Sequence, residues 1–183
     1  MSYINTYQKF AKAIVEEHEA VFAQLDMKQL KTFIDAIIGA KHIFVHGTGR
    51  EGISMRGFAM RLAHLGKPTY WLMDDTTIGM HQDDLFIICD GRGDVGIHRR
   101  IVQQATKTGA KIAMITALPE GNLAKNYADY ILFVHSTVYM DEKHAEKVQN
   151  FPDNPTIADY LLIKYRKFVA VLIPFCFVQV RTN

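Results

Sequence analysis

What this 183-residue sequence lacks narrows its class before any motif is read. It has only two cysteines, Cys89 and Cys176, each inside an apolar stretch. Two cysteines so placed do not make a disulfide framework, and buried reduced thiols of a cytoplasmic protein are expected instead. Long hydrophobic runs are missing too: the most apolar stretch, 168–178, contains Pro174 and falls short of the ~18 residues a membrane span needs. The start of the chain is polar and amphipathic, so a signal peptide is not expected. Charge of one sign is also scarce. Lys and Arg total 21 against 19 Asp and Glu, a net charge of +2, with no run of basic residues. Neither nucleic acid nor a membrane is therefore an expected partner. No internal repeat or low-complexity segment occurs.

What is present is ordinary globular material, 49% hydrophobic and 22% charged, enough for one domain with a sizeable core. Its organising stretch is 43–66, IFVHGTGREGISMRGFAMRLAHLG. A short apolar run leads into Gly47-Thr48-Gly49-Arg50-Glu51-Gly52, after which Met55, Phe58, Ala59, Leu62 and Leu65 recur at helical spacing. The spacing predicts a strand, a glycine loop and a helix. Such a junction aims unpaired amides and the positive end of a helix dipole at one spot, where an anion is stabilised. An ordinary tight turn uses the same glycines. A dinucleotide site does as well, and Asp74 and Asp75 follow at the spacing that fold requires. The cationic helix face of Arg50, Arg56 and Arg61 argues against the dinucleotide. Arg50, at a helix N-terminus where a cation gains nothing from the dipole, favours an anionic ligand.

The remaining elements alternate. Periods near 3.6 predict helices over 3–25 and 26–39, with Asp26 as N-cap, and another over 95–108. Apolar runs predict strands over 69–73, 85–89, 111–116 and 130–134. Residues 136–154 have no apolar period and are expected to form a long loop. Asn154 and Pro155 then open a C-terminal helix that Pro174 should kink or end. Strands and helices in this alternation give an α/β fold with a parallel sheet covered on both faces. His42 and His46, four apart on a strand, stand roughly 13 Å apart, too far to share an ion, and no metal is expected.

The run GTGREGISMRGFAMRLAHLGKPTYWL resembles the opening of the sugar isomerase (SIS) domain, and within it the 6-phospho-3-hexuloisomerases, through GxGRxG and RxFAMRLxHLG. The resemblance implies a three-layer, flavodoxin-like sandwich around a five-stranded parallel sheet. The whole chain, 1–183, would form one domain with a helical arm (1–40), a core (41–135) and a C-terminal helix (155–175). It implies a phosphosugar isomerase that acts through an enediol without a cofactor and assembles as a homodimer or homotetramer. It carries over His64 for proton transfer or ring opening. It also aligns Pro155-Thr156-Ile157-Ala158-Asp159 with a stretch that ends in a catalytic glutamate. Phosphate would lie on Gly47, Thr48, Gly49 and Arg50 and on Gly91, Arg92, Gly93 and Asp94 of the second loop.

Two departures keep a second reading open. Where the family carries serines and a threonine, this chain has Asp90-Gly91-Arg92-Gly93-Asp94-Val95, without a hydroxyl. Asp90 and Asp94 either cap the next helix or face the crevice and oppose a phosphate, which Arg92 would attract. Asp159 is one methylene shorter than glutamate. A structural cap or salt bridge for Asp159, and a helix-dipole role for His64, are the plainer readings of those residues. The chain is therefore expected to be a phosphosugar isomerase or a non-catalytic module that binds a phosphorylated metabolite.

Overall fold

The computed structural model describes residues 3–136. The loop expected after 136, the helix expected over 155–175, Asp159 and Cys176 lie outside the described residues. The chain opens with α1 (Tyr3–Ala23) and α2 (Met27–Gly39), then alternates β1 (Ile43–Gly47), α3 (Gly49–His64), β2 (Thr69–Trp71), β3 (Leu85–Cys89), α4 (Gly96–Lys107), β4 (Lys111–Thr116), α5 (Asn122–Tyr127) and β5 (Tyr130–Phe133). The strands form one all-parallel sheet in the order β2-β1-β3-β4-β5. This is the flavodoxin-like order, as expected for the α/β sandwich.

Period-two alternation along the strands assigns each side chain to a layer. Ile43, Val45, Leu85, Ile87, Cys89, Ala113, Ile115 and Leu132 pack with Phe33 and Ile37 of α2 and Met55, Phe58 and Leu62 of α3. The intervening Phe44, Phe86, Ile88, Ile112 and Met114 pack with Val102 and Ala105 of α4 and Leu123 and Ala124 of α5. Both faces of the sheet are thus covered, which is why β1 and β3 read as unbroken apolar runs. Asp26 caps α2 by accepting the amides of Lys28 at 2.7 Å and Gln29 at 3.2 Å. Gln29 Oε1 in turn accepts the Phe133 amide at 3.0 Å, pinning the helix to the edge strand β5.

Three features bear on the sequence expectation. β2 stops at Trp71 rather than 73, because the Asp74 amide turns back to the Trp71 carbonyl at 3.0 Å. α5 has no counterpart in the expected elements. Its six residues, NLAKNY, are too few to show a period, and its amides at Leu123 and Ala124 are held by the Gly93 carbonyl. On α1, Val21 is buried while Ile4, Tyr7 and Val15 are 67%, 69% and 55% exposed, so this helix does not bury a full apolar face on its own sheet. Among the described residues, no helix is long and apolar enough to cross a membrane.

Phe86 is sealed at the centre of β3. Its replacement by alanine is expected to cost about 3–5 kcal/mol in equilibrium urea unfolding. A loss below ~1 kcal/mol would show that this layer collapses around the gap more readily than a close-packed core does.

Candidate functional site

Strand order decides where a ligand can enter. The helix that follows β1 covers one face of the sheet and the helix that follows β3 covers the other. Their loops therefore diverge at neighbouring strand ends, and the crevice between them is where ligands of such sheets bind. Loops 47–52 and 90–94 meet there.

The first loop is shaped by close backbone approach. A Cβ on Gly52 would stand 2.6 Å from the Gly47 carbonyl oxygen, so the first turn of α3 presses directly on the end of β1. Gly49 has φ +56°, a left-handed conformation that suits glycine. Thr48 is the N-cap in extended conformation, and its hydroxyl makes no capping bond. The amides that begin α3 have no acceptor within the helix and lie at the positive end of its dipole.

The second loop folds against β4. Its Asp90 amide donates to the Ile115 carbonyl and its Gly91 carbonyl accepts the Ala117 amide, at 3.0 and 3.1 Å. Gly93 has φ +63°, and a Cβ there would meet the Leu118 carbonyl at 2.4 Å. Asp90 is fully buried and turned inward: Oδ2 accepts the Val95 amide and the His98 Nδ1–H, each at 2.9 Å. Asp94 pairs with Arg99 at 3.0 Å. Of the two placements open for the acidic pair, Asp90 takes the structural one, holding the approach to α4. Neither carboxylate stands unpartnered in the crevice.

A third carboxylate joins the two loops. Glu51, in the first turn of α3, accepts the Gly91 amide at 3.1 Å on Oε1 and is only partly exposed. Burial pushes its carboxyl up to about 7, with Asp90 adding to the rise and the Gly91 amide, His98 and Arg50 opposing it. Behind it lie His98, fully buried, and His46, whose ring meets His98 edge-on at 5.3 Å and Trp71 at 5.4 Å. Burial, and then His98, hold the His46 ring down at about 4. Neither nitrogen of His46 has a hydrogen-bond partner among the described residues, nor does His98 Nε2. Burial, with Glu51 and Asp90 nearby, raises the Cys89 thiol well above its usual range, so it stays protonated and inert. Arg56 lies over Trp71 at 4.3 Å and so belongs to a cation–π contact.

The structure thus brings Gly47, Thr48, Gly49, Arg50, Gly91, Arg92, Gly93 and Asp94 to one end of β1 and β3, with Arg50 and Arg92 exposed. His64 is not brought there. It is exposed at the last position of α3, about 22 Å along the helix from Gly49. Within one chain the length of the helix separates His64 from the two loops. Sequence reasoning passed over Glu51, His46 and His98. An acidic residue in a first turn reads as a partner for the dipole, and nothing in the linear pattern pairs Asp90 with His98.

The dinucleotide alternative fits the fold poorly. Its usual order places β3 outside β2, whereas here β3 lies on the other side of β1. Asp74 is also engaged locally, accepting the amide and hydroxyl of Thr76 at 3.0 and 2.7 Å. At the opposite ends of the strands, Lys41, His42, His81, Gln82, Asp83, Asp84 and Thr108 line an open depression of about 380 Å³. Asp84 there accepts the amides of His42 and His81 and the His42 ring, ties that hold strand ends together.

Two opposed pH dependences result. The Glu51 pKa is raised on folding, so its contribution to stability falls as pH rises from 4.5 through about 7. The His46 pKa is lowered, so its contribution is present above 6.5 and is lost as pH falls towards 4. Glu51→Gln should leave melting temperature rising with pH between 4.5 and 6.5. His46→Phe should remove that rise and stabilise the protein most at low pH. Parallel pH profiles for both variants and the wild type would contradict these environments.

Comparison with known proteins agrees with this architecture. No protein-family profile matches the chain. An uncharacterized protein of Methanothermobacter thermautotrophicus is 33% identical over 132 residues, 72% of this chain and 64% of that protein. The 3-hexulose-6-phosphate isomerase of Mycobacterium gastri is 32% identical over 112 residues, 61% of this chain and 56% of the enzyme. The chain thus spans less than two thirds of the length of either relative. A crystal structure from Methanococcus jannaschii, described as implying 3-hexulose-6-phosphate isomerase function, superposes with a TM-score of 0.67 at 25% identity. It covers 94% of this chain and 92% of its own. In its parallel order, its glycine loops and these relatives, the chain is similar to the sugar isomerase (SIS) domains, and its named relatives are 3-hexulose-6-phosphate isomerases.

Proposed function

We propose that the protein is a cytoplasmic phosphosugar isomerase of the 6-phospho-3-hexuloisomerase kind. The observation that carries this reading is the meeting of two glycine loops at the ends of β1 and β3, in a fold shared with isomerase relatives. Amides at the start of α3 and in the second loop, with Arg50 and Arg92, would receive the phosphate as charge-assisted donors. The sugar would then extend over the crevice. Isomerisation moves a carbonyl between adjacent carbons through an enediol, so it needs a base at the carbon acid and a donor at the carbonyl oxygen. Asp159 is the base implied by resemblance. His64 could reach such a crevice only on a second copy of the chain, because its own lies a helix length away.

The rest of the assembly is read in the same way. We read residues 1–183 as one domain, with Asp159 contributed by the helix expected over 155–175. The exposed apolar residues of α1 favour a homodimer or homotetramer. Light scattering coupled to size exclusion should give one of those masses, and a monomer would contradict this part of the proposal. The alternative is a module that binds a phosphorylated metabolite without turning it over. The absence of any hydroxyl between Asp90 and Val95 favours that alternative.

Turnover assays and thermal shifts against hexulose, hexose, pentose and heptose phosphates separate the two. An isomerase should convert a 3-ketohexose 6-phosphate and its 2-keto isomer into one another. Arg50→Ala should raise KM about tenfold or more, the loss expected when a charge-assisted phosphate contact worth ~1.5–3 kcal/mol is removed. Stabilisation without turnover would establish the binding module. No response to any sugar phosphate would overturn both.

A further inference from the structure

Glu51 is left without a task by the residues that the family pattern supplies, yet it occupies the most chemically exposed point of the buried network. Its carboxylate stands between the two loops at the crevice, with Oε1 fixed on the Gly91 amide at 3.1 Å. Among the described residues, the other acidic side chains of the two loops are committed. Asp90 is sealed and holds Val95 and His98, and Asp94 pairs with Arg99. We propose that Glu51, rather than the Asp159 that the resemblance implies, is the acid–base group that moves the proton in the isomerisation, an inference that rests on the isomerase reading above.

The geometry meets what such a group requires. One oxygen is positioned by a backbone donor, and the side chain is partly exposed, so it is reachable from the crevice. The group sits in the first turn of α3, beside the amides expected to hold the phosphate, so the sugar carbons would lie next to it. The groups that set its charge are Arg50 on its own helix, Asp90 and Cys89 at the end of β3, and His98 on α4, with His46 of β1 behind His98. Buried among them, Glu51 titrates near 7, where a base is both available and strong enough to act.

The step balances without any co-reactant. The carboxylate takes the proton from the hydroxyl-bearing carbon beside the carbonyl, and the electron pair of that C–H bond becomes the C=C of the enediol. The carbonyl oxygen takes a proton from water as it becomes a hydroxyl. In the second half Glu51 returns its proton to the former carbonyl carbon, and the hydroxyl on the neighbouring carbon gives its proton back to water to become the new carbonyl, so no proton is gained or lost overall.

Glu51→Gln keeps an acceptor for the Gly91 amide and removes the base, so it separates chemistry from architecture. With the interconverting pair of hexulose 6-phosphates, kcat should fall by about 10²–10⁴, the range for loss of an acid–base group, while KM changes less than threefold. The wild-type kcat/KM should rise with pH through about 7, and this limb should vanish in the variant. Circular dichroism melts check that the variant is folded. A variant within threefold of wild-type kcat, or one whose loss lies in KM alone, overturns the role of Glu51 and leaves the isomerase reading intact. A folded wild type with no turnover on any sugar phosphate overturns both.

Discussion

A parallel strand cannot be joined to its neighbour by a hairpin, so each connection here must cross a face of the sheet and bury it. That constraint sets most of the architecture. Ile43, Val45, Leu85 and Ile87 need α2 and α3, whereas Phe44, Phe86 and Ile88 need α4 and α5. The crossovers leave β1 and β3 in opposite directions, and their loops must part at adjacent strand ends. A crevice is the consequence. The glycines make it narrow, because a Cβ at position 52 or 93 would meet a carbonyl oxygen at 2.6 or 2.4 Å.

The electrostatics of the crevice depend on which carboxylates are spent within the protein. A loop containing Asp90 and Asp94 looks hostile to a phosphate when read as a string. Folded, Asp90 turns inward to the Val95 amide and the His98 ring, and Asp94 pairs with Arg99. What remains at the mouth is Arg50, Arg92 and a Glu51 carboxylate whose burial weakens its hold on charge near neutral pH. A protonated Glu51 would not repel an anion, and an ionised one would serve as a base.

Much of this was legible in the sequence, and the limits have physical causes. The glycine string at 47–52 and the helical spacing through Leu62 announce a strand, a loop and a helix, because those signals are local. The Asp26 cap and the apolar strands β1, β3 and β4 are equally local. The fate of Asp90 was not legible, since its partner His98 is eight residues away on the next helix and reaches it only after α4 docks. Glu51 was hidden for the same reason. Its environment is made by Gly91, forty residues away. The distance between His64 and the glycine loop is not visible in a contiguous motif either, since a helix of 16 residues separates them.

The central claim is that a sugar phosphate binds between the loops of β1 and β3. Backbone-amide NMR during titration with a 2-ketohexose 6-phosphate tests it most directly. Saturable shifts should be concentrated at Gly49–Gly52 and Gly91–Gly93, and the Gly91 amide should move as the hydrogen bond to Glu51 is perturbed. Saturable shifts confined to the opposite ends of the strands, at Lys41, His42 and His81–Asp84, would contradict it.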